Sequence, residues 1–146
     1  MKLISHRGNI NGRLPEQENK PDYILSAIKS GFDVEVDVWH EKSKLYLGHD
    51  EPTYFIDIGF LKSDKLWCHC KNIDALYFLL ENKIHCFFHD QDKATLTSQG
   101  YIWTYPGQKL TEKSICVMPE KSSWSISGDI SGICSDYISN FKEFIK

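Results

Sequence analysis

The stretch GFDVEVDVWHEKSKLYLGHD, residues 31–50, decides the fold that the sequence predicts. Its first half alternates apolar and polar side chains with a period of two, which is typical of a β-strand with one aliphatic face. Glu35 and Asp37 share the opposite face. The segment HEKSK then turns the chain into LYLGHD, which predicts a hairpin arm. A solvated face would explain the two carboxylates most simply, but Trp39 shares their side and His49-Asp50 follows.

The bulk composition indicates a globular protein of one domain, residues 1–146, with no linker, low-complexity tract or repeat. The net charge of -3 provides no basic field, so we expect no nucleic-acid partner. No apolar run approaches the length of a membrane span, and the start MKLISHRG is too short and polar for a signal peptide. The sequence therefore predicts a cytoplasmic protein without a membrane span.

The five cysteines lie in strand-like stretches and are odd in number. This favours buried, reduced thiols over a disulfide framework. The segment Cys68-His69-Cys70 invites a zinc interpretation, but it lacks the usual gap of two to four residues between paired ligands. Strand alternation also places both cysteines on the face opposite His69. We therefore expect no zinc knuckle there.

The remaining pattern alternates strands and helices. Strands are predicted at 2–6, 33–39, 65–71, 84–90, 100–105, 114–118 and 132–137. Helices are predicted at 21–31 and 72–83, with a short helix in KATLTSQ, residues 93–99, and an amphipathic stretch over 138–145. In the helix at 72–83, Asn72 is the predicted N-cap, and the predicted apolar stripe consists of Ile73, Leu76, Tyr77 and Leu80. This order favours a parallel sheet with right-handed crossovers, either open or closed into a barrel, with its chemistry at the carboxyl ends of the strands.

The polar residues at these strand ends suit phosphodiester chemistry. Glu35 and Asp37 offer oxygen ligands to a hard divalent cation. The guanidinium group of Arg7 can donate two parallel hydrogen bonds to phosphate oxygens, and Lys71 adds a point charge. His6 and His49 titrate near neutral pH and suit a pair of general acid and base.

Four motifs in order then carry a family resemblance: His6-Arg7-Gly8, Glu18-Asn19, Glu35-x-Asp37 and His49-Asp50. They resemble the glycerophosphodiester phosphodiesterase family, within the phosphatidylinositol phospholipase C-like barrels. GICSDY at 132–137 is similar to that family's last strand, with Ser135 in place of threonine. His69-Cys70-Lys71 departs from the family's E-x-K, because His69 replaces the glutamate. The chain is also shorter than the roughly 250 residues of an eight-stranded barrel.

The resemblance implies an α/β fold, a reduced or irregular TIM-like barrel of about seven mostly parallel strands, with eight still open. It implies a metal-dependent phosphodiester hydrolase acting on a glycerophosphodiester-like or sugar-phosphodiester substrate. An internal hydroxyl would be the first nucleophile, and a cyclic phosphate the intermediate. The implied roles are catalysis by His6 and His49, phosphate binding by Arg7 and Lys71, and metal binding by Glu35, Asp37, His69 and Glu18. The implied cofactor is a divalent cation, Mg²⁺, Ca²⁺ or Mn²⁺.

Several alternatives stay open at this stage. Glu18 either caps the first helix or joins the metal shell, and His69 either coordinates the metal or hydrogen-bonds a neighbouring carboxylate. His89-Asp90, Trp103 and Tyr105 either line a pocket or pack at strand ends. The segment KSSWSISGD, with Trp124, reads as a polar loop without an assigned role. A non-catalytic module that binds a phosphate ligand on the same fold is the alternative to an enzyme.

Overall fold

The computed structural model describes residues 1–122, 126 and 128–144, so the loop residue Trp124 lies outside the described residues. The described strands are β1 (Lys2–His6), β2 (Asp33–Glu41), β3 (Lys44–Leu47), β4 (Tyr54–Ile56), β5 (Leu66–Cys70), β6 (Cys86–Phe88), β7 (Ala94–Leu96), β8 (Ile102–Thr104), β9 (Ser114–Val117) and β10 (Gly132–Ser135). The α-helices are α1 (Pro21–Lys29), α2 (Ile58–Leu61) and α3 (Ile73–Glu81), and 3₁₀ turns cover Pro119–Lys121 and Ile138–Phe144.

The strand β2 is the centre of the sheet, as its alternating sequence suggests. It pairs in parallel with β1, where His6 is opposite Glu35, and with β5, where Asp37 is opposite His69. Beyond the end of β1, the second half of β2 pairs with β3 in antiparallel orientation. This confirms the predicted hairpin. The parallel run continues from β5 to β6 and from β1 through β10 and β9 to β8. The carboxyl ends of β1, β2 and β5 therefore meet at one edge.

The predicted TIM-like barrel of about seven mostly parallel strands is wrong. The sheet is a mixed half-barrel of ten strands, with antiparallel pairings between β2 and β3, β3 and β4, and β7 and β8. Within the described residues no strand ladder joins β6 to β7, so no continuous ladder closes the ring. In the described part of the chain, the α-helices have only nine, four and nine residues, and all three precede β6. The chain beyond β6 is divided by Pro106, Gly107 and Pro119, which leaves little room for crossover helices.

The segment KATLTSQ shows why the second half departs from the prediction. It forms the strand β7 instead of a short helix and pairs with β8. Thr95 and Thr97 are β-branched and favour extended backbone. Gly100, at φ +83°, completes the turn that leads into β8.

The two faces of the sheet bury different cores. On the outer face, aliphatic side chains of β2 and β5 pack with α1 and α3, and Cys68, Cys70 and Cys86 lie in this cluster. The inner face holds an aromatic cluster that includes Trp67, Phe87 and Trp103. All five cysteines are buried and unpaired, as predicted. His69 follows Trp67 on the inner face, so strand alternation directs it toward the site rather than toward the thiols.

The helix α3 turns a different side to the sheet from the one predicted. Asn72 caps it as predicted, accepting a hydrogen bond from the backbone N–H of Ala75 at 2.9 Å. Ala75 and Leu79 form its buried side, whereas Ile73 and Tyr77 are 63% and 67% exposed. Apolar residues surround much of this helix, so periodicity alone leaves its rotation ambiguous. Among the described residues, no helix has the length and apolarity to cross a membrane.

Candidate functional site

The carboxyl ends of the parallel strands surround a cavity of about 490 Å³. Six of the predicted site residues line it: His6, Arg7, Glu35, His49, His69 and Lys71. Asp37 is fully buried behind this surface, and Glu18 lines a neighbouring cavity. The strands and the loops after them thus bring together residues that are up to 65 positions apart in the sequence.

A left-handed turn after β1 presents Arg7 to the site. Arg7 and Gly8 have φ angles of +55° and +96°, and the Arg7 backbone N–H donates to the Glu35 carbonyl at 2.9 Å. A Cβ atom on Gly8 would lie 2.5 Å from Cδ1 of Tyr23, so only glycine fits at this position. This geometry explains why the motif His6-Arg7-Gly8 ends in glycine.

Asp37 is the most constrained carboxylate of the site. The Asn19 side chain donates to Oδ2 at 2.8 Å, and the Asp37 backbone N–H donates back to Asn19 Oδ1 at 2.9 Å. Arg7 Nε lies 2.8 Å from the same Oδ2, and Lys71 Nζ lies 3.7 Å from Oδ1. Burial alone would raise the pKa of Asp37, but contact with His69 and the positive charge of Arg7 hold that pKa well below its usual range. Asp37 is therefore an anion at neutral pH.

Glu35, Asp37 and His69 form a group with the geometry of a metal site. One ligand atom from each lies within 4.8 Å of the others. His69 Nδ1 is 3.2 Å from Asp37 Oδ1 and 3.7 Å from Glu35 Oε1. His69 Nε2 lies 3.3 Å from the His89 carbonyl, so an N–H there leaves the Nδ1 lone pair for a ligand. Glu35 Oε2 is buried and accepts no hydrogen bond from the described residues. This donor set fits a divalent cation.

The contacts of His69 with the two carboxylates also favour its protonated form. Burial lowers the pKa of His69, but contact with Asp37 and Glu35 outweighs burial and raises the pKa to about 9. An imidazolium between two carboxylates offsets part of their charge. The cluster is thus also compatible with the second interpretation of His69, an electrostatic contact with a neighbouring carboxylate, although the 3.2 Å contact with Asp37 lacks the geometry of a hydrogen bond.

Two histidines of the cavity each have an aspartate partner, in very different surroundings. His6 Nδ1 lies 2.7 Å from Asp136 Oδ1, and Asn9 donates to the same Oδ1 at 2.8 Å. With Nδ1–H directed at Asp136, the His6 Nε2 is free for proton transfer and lies 3.8 Å from Glu35 Oε2. His49 Nδ1 lies 2.7 Å from Asp50, but the Asp50 side chain is 92% exposed. His6 is therefore firmly oriented, whereas solvent screens the His49 pair.

Glu18 lies outside the group of Glu35, Asp37 and His69. It accepts hydrogen bonds from Arg7 at 3.2 Å, Asn9 at 3.1 Å and Arg13 at 2.9 Å. Burial would raise the pKa of Glu18, but the bonds from Arg13 and Asn9 and the charge of Arg7 lower it below its usual range. The N-cap position of α1 is Lys20, so Glu18 does not cap that helix. Its contacts position Arg7.

Sequence reasoning missed Asn9 and Arg13, and assigned Asp136 to a strand end without a role. Asn9 is completely buried and donates to both Glu18 and Asp136. It lies in the irregular loop between β1 and α1, where no periodicity identifies a side chain that faces the site. The only sequence signal was the position of Asp136 at the carboxyl end of the last strand.

His89, Asp90, Trp103 and Tyr105 line the cavity, which answers a question that the sequence left open. His89 stacks on His69 with ring centroids 4.3 Å apart, and the Tyr105 hydroxyl lies 2.5 Å from His89 Nε2. Burial and the nearby charge of His69 lower the pKa of His89 to about 4, so it is neutral at pH 7. These rings form an uncharged wall beside the charged centre.

Comparisons with protein-family models, with curated protein sequences and with solved structures found no match for this chain. The resemblance to glycerophosphodiester phosphodiesterases therefore remains a prediction from the motifs.

Proposed function

We propose that this protein is a metal-dependent phosphodiester hydrolase that acts on a glycerophosphodiester-like or sugar-phosphodiester substrate. One observation carries the proposal: the oriented His6, together with Arg7, Glu35 and His69, borders one cavity, and the buried Asp37 completes a metal-compatible group with Glu35 and His69. Cleavage of a phosphodiester requires neutralised phosphate oxygens, a proton acceptor and a proton donor. The residues around this cavity can meet all three requirements.

Phosphate charge would be neutralised from two sides. A divalent cation held by Glu35, Asp37 and His69, with Mg²⁺, Ca²⁺ or Mn²⁺ as candidates, would act as a Lewis acid toward the phosphate oxygens. Arg7 would bind a non-bridging oxygen with the part of its guanidinium that Asp37 and Glu18 leave free. Lys71 lines the same cavity and would add a second positive charge.

Proton transfer would be divided between His6 and His49. In the first step an internal substrate hydroxyl attacks phosphorus, its proton passes to one histidine, and the P–O bond to the leaving group breaks. The other histidine protonates the leaving oxygen, and water then opens the cyclic phosphate with the two roles exchanged. Asp136 would stabilise the imidazolium form of His6 and keep its Nε2 directed at the reaction centre.

A second candidate function is a phosphate-binding module without turnover. The observation that favours it is the contact of His69 with both Glu35 and Asp37, since this contact raises the pKa of His69 and lets an imidazolium offset part of their charge without a metal. The oriented His6–Asp136 pair supports the enzyme instead, because binding alone does not require an aligned general base.

Five buried, unpaired thiols are consistent with a reducing compartment and support the proposal of a cytoplasmic location.

The test is hydrolysis of bis(p-nitrophenyl) phosphate by the purified protein with Mg²⁺, Ca²⁺ or Mn²⁺. We expect metal-dependent release of p-nitrophenol that is lost in His6→Ala and in Asp37→Asn. This substrate has no internal hydroxyl, so water attacks phosphorus directly, loses its proton to one histidine and displaces p-nitrophenolate. A glycerophosphodiester assayed in parallel tests the cyclic route by its products. Phosphate binding without turnover of either substrate would reject the enzyme and support the binding module.

A further inference from the structure

Two cavities meet at the candidate site and share one wall. The cavity of about 490 Å³ adjoins a second one of about 230 Å³, and both are lined by Arg7, Arg13 and His49. A phosphodiester carries two substituents on one anionic centre. A wall shared by two cavities and carrying two arginines suits such a ligand.

The two cavities differ in character. Beyond the shared wall, the larger cavity is bordered by aromatic side chains such as Trp103 and Tyr105. The smaller one is bordered by polar residues such as Asn19 and Thr53. A ligand with two substituents of unequal polarity would therefore place the less polar one in the larger cavity and the more polar one in the smaller cavity.

Arg13 is held at this wall by Glu18. Its Nε donates to Glu18 Oε1 at 2.9 Å, and Glu18 Oε2 accepts from Arg7 at 3.2 Å. The Glu18 side chain is only 7% exposed, whereas that of Arg13 is 59% exposed. Among the described residues, the Arg13 side chain makes no other hydrogen bond or ion pair. Its two terminal NH₂ groups therefore remain available at the wall.

The local charge balance leaves Arg13 only partly compensated. Arg7 is paired with Asp37 and Glu18, whereas Glu18 is the single partner of Arg13 among the residues that the structure describes. One carboxylate is thus shared by two guanidinium groups. The exposed Arg13 guanidinium lies where both cavities meet, and its terminal NH₂ groups favour an anion at that point.

We propose that Arg13 is a second phosphate-contacting arginine, and that a phosphodiester lies across the shared wall with one substituent in each cavity. The inference rests on the proposed function, since it concerns the same site. Arg7 meets the phosphate from the buried side and Arg13 from the open side. Glu18 acts as the common anchor that fixes the spacing of the two guanidinium groups.

The experiment is an NMR titration of the ¹⁵N-labelled protein with diethyl phosphate, a small phosphodiester that resists hydrolysis. Binding should shift signals from both cavities, namely the Trp103 indole N–H and the backbone N–H of Thr53. Arg13→Gln should weaken binding roughly tenfold, the value of a lost charge-assisted hydrogen bond, and Arg13→Lys should weaken it less. Lys62→Gln is the matched control, because it removes an exposed charge that lines neither cavity.

Contact with phosphate is distinguished from an effect through Glu18 by repeating Arg13→Gln in a Glu18→Gln background. If Arg13 touches the phosphate, its loss still weakens binding there. An affinity that Arg13→Gln leaves unchanged in the Glu18→Gln background, shifts confined to one cavity, or no binding to the parent protein would each overturn the inference. Binding is measured without turnover, so an inactive protein that binds diethyl phosphate through Arg13 would reject only the proposed hydrolase.

Discussion

The Nδ1 atom of His6 lies 2.7 Å from Oδ1 of Asp136, so the end of β1 and the residue after β10 form one His–Asp unit. The two strands are paired in parallel, with Ser5 opposite Ser135, and this register fixes the contact. Burial would raise the pKa of Asp136, but the hydrogen bond and charge of His6 lower it below its usual range. Asp136 is therefore an anion that orients His6.

Asp136→Asn should reduce kcat for phosphodiester hydrolysis on the order of 10³-fold, because an amide no longer stabilises the His6 imidazolium or fixes its tautomer. The measurement is steady-state kinetics with bis(p-nitrophenyl) phosphate over a range of pH. Asp50→Asn is the control, since its histidine contact has the same 2.7 Å length but Asp50 is 92% exposed. Equal losses in the two variants would contradict the assigned role of Asp136.

Gly8→Ala should destabilise the fold by about 1–3 kcal/mol, because alanine at positive φ is strained. The added Cβ would also lie 2.5 Å from Tyr23 Cδ1. Gly31 provides a matched control, because it has a φ of +94° against +96° for Gly8 but nothing within 4 Å of an added Cβ. Urea unfolding of both variants separates backbone strain from contact with Tyr23. If Gly31→Ala costs as much as Gly8→Ala, the contact contributes nothing.

The elements predicted well from the sequence are those with local signals. The period-two alternation around Val36 predicted the central strand, and Asn72 predicted the start of α3. The path of the chain from β6 to β9 was not predictable in this way. KATLTSQ has no strict period, and its strand is stabilised by pairing with Ile102–Thr104, a contact that a linear pattern does not contain.

The residues of the candidate site show the same contrast between local sequence signals and tertiary contacts. Glu35, Asp37 and His69 were identifiable because adjacent parallel strands bring equivalent positions together, as the pairing of Asp37 with His69 shows. Asn9 and Arg13 were not, because they reach the site from a loop whose conformation is set by tertiary hydrogen bonds. Local propensity carries no information about such contacts.

His85, at the opposite end of the inner core, should make the protein less stable in acid. Burial and the charge of Lys2, only partly offset by Asp33, lower the pKa of His85 to about 4, from an ordinary value of 6.5. Because the unfolded chain binds the proton more tightly, stability is present above pH 6.5 and is lost as the pH falls toward 4.

His85→Gln removes this titration while keeping a polar side chain beside Trp67, whose ring centroid lies 4.5 Å from that of His85. Urea unfolding between pH 7 and pH 4 measures how the free energy of unfolding depends on pH. The slope of this dependence should be smaller in the variant, by an amount that corresponds to the uptake of up to about one proton on unfolding. His40→Gln is the control, because it replaces a half-buried histidine that stacks on Phe78 instead of packing beside Trp67. Identical slopes in the parent and in His85→Gln would show that His85 is not the group responsible.

His69 should determine which metal supports activity. It replaces the carboxylate that the family resemblance implies, and its Nδ1 lies 3.2 Å from Asp37 and 3.7 Å from Glu35. A nitrogen donor favours Mn²⁺ and later transition metals over Mg²⁺ and Ca²⁺, which prefer oxygen shells. We therefore expect the parent protein to be more active, and to bind more tightly, with Mn²⁺ than with Mg²⁺. His69→Glu should shift both rankings toward Mg²⁺ or Ca²⁺, because it restores a third carboxylate.

His69→Ala removes the donor without a replacement and should weaken Mn²⁺ binding by at least 10–100-fold, the roughly expected cost of disturbing a metal shell. The measurements are Mn²⁺ affinity, followed by water proton relaxation, and activity across the metal series for all three proteins. His89→Gln is the matched control: it removes the ring stacked on His69 at 4.3 Å but keeps the backbone carbonyl that His69 Nε2 contacts. If His69→Ala and His69→Glu leave the metal ranking and the affinity unchanged, His69 is no ligand and only balances the two carboxylates.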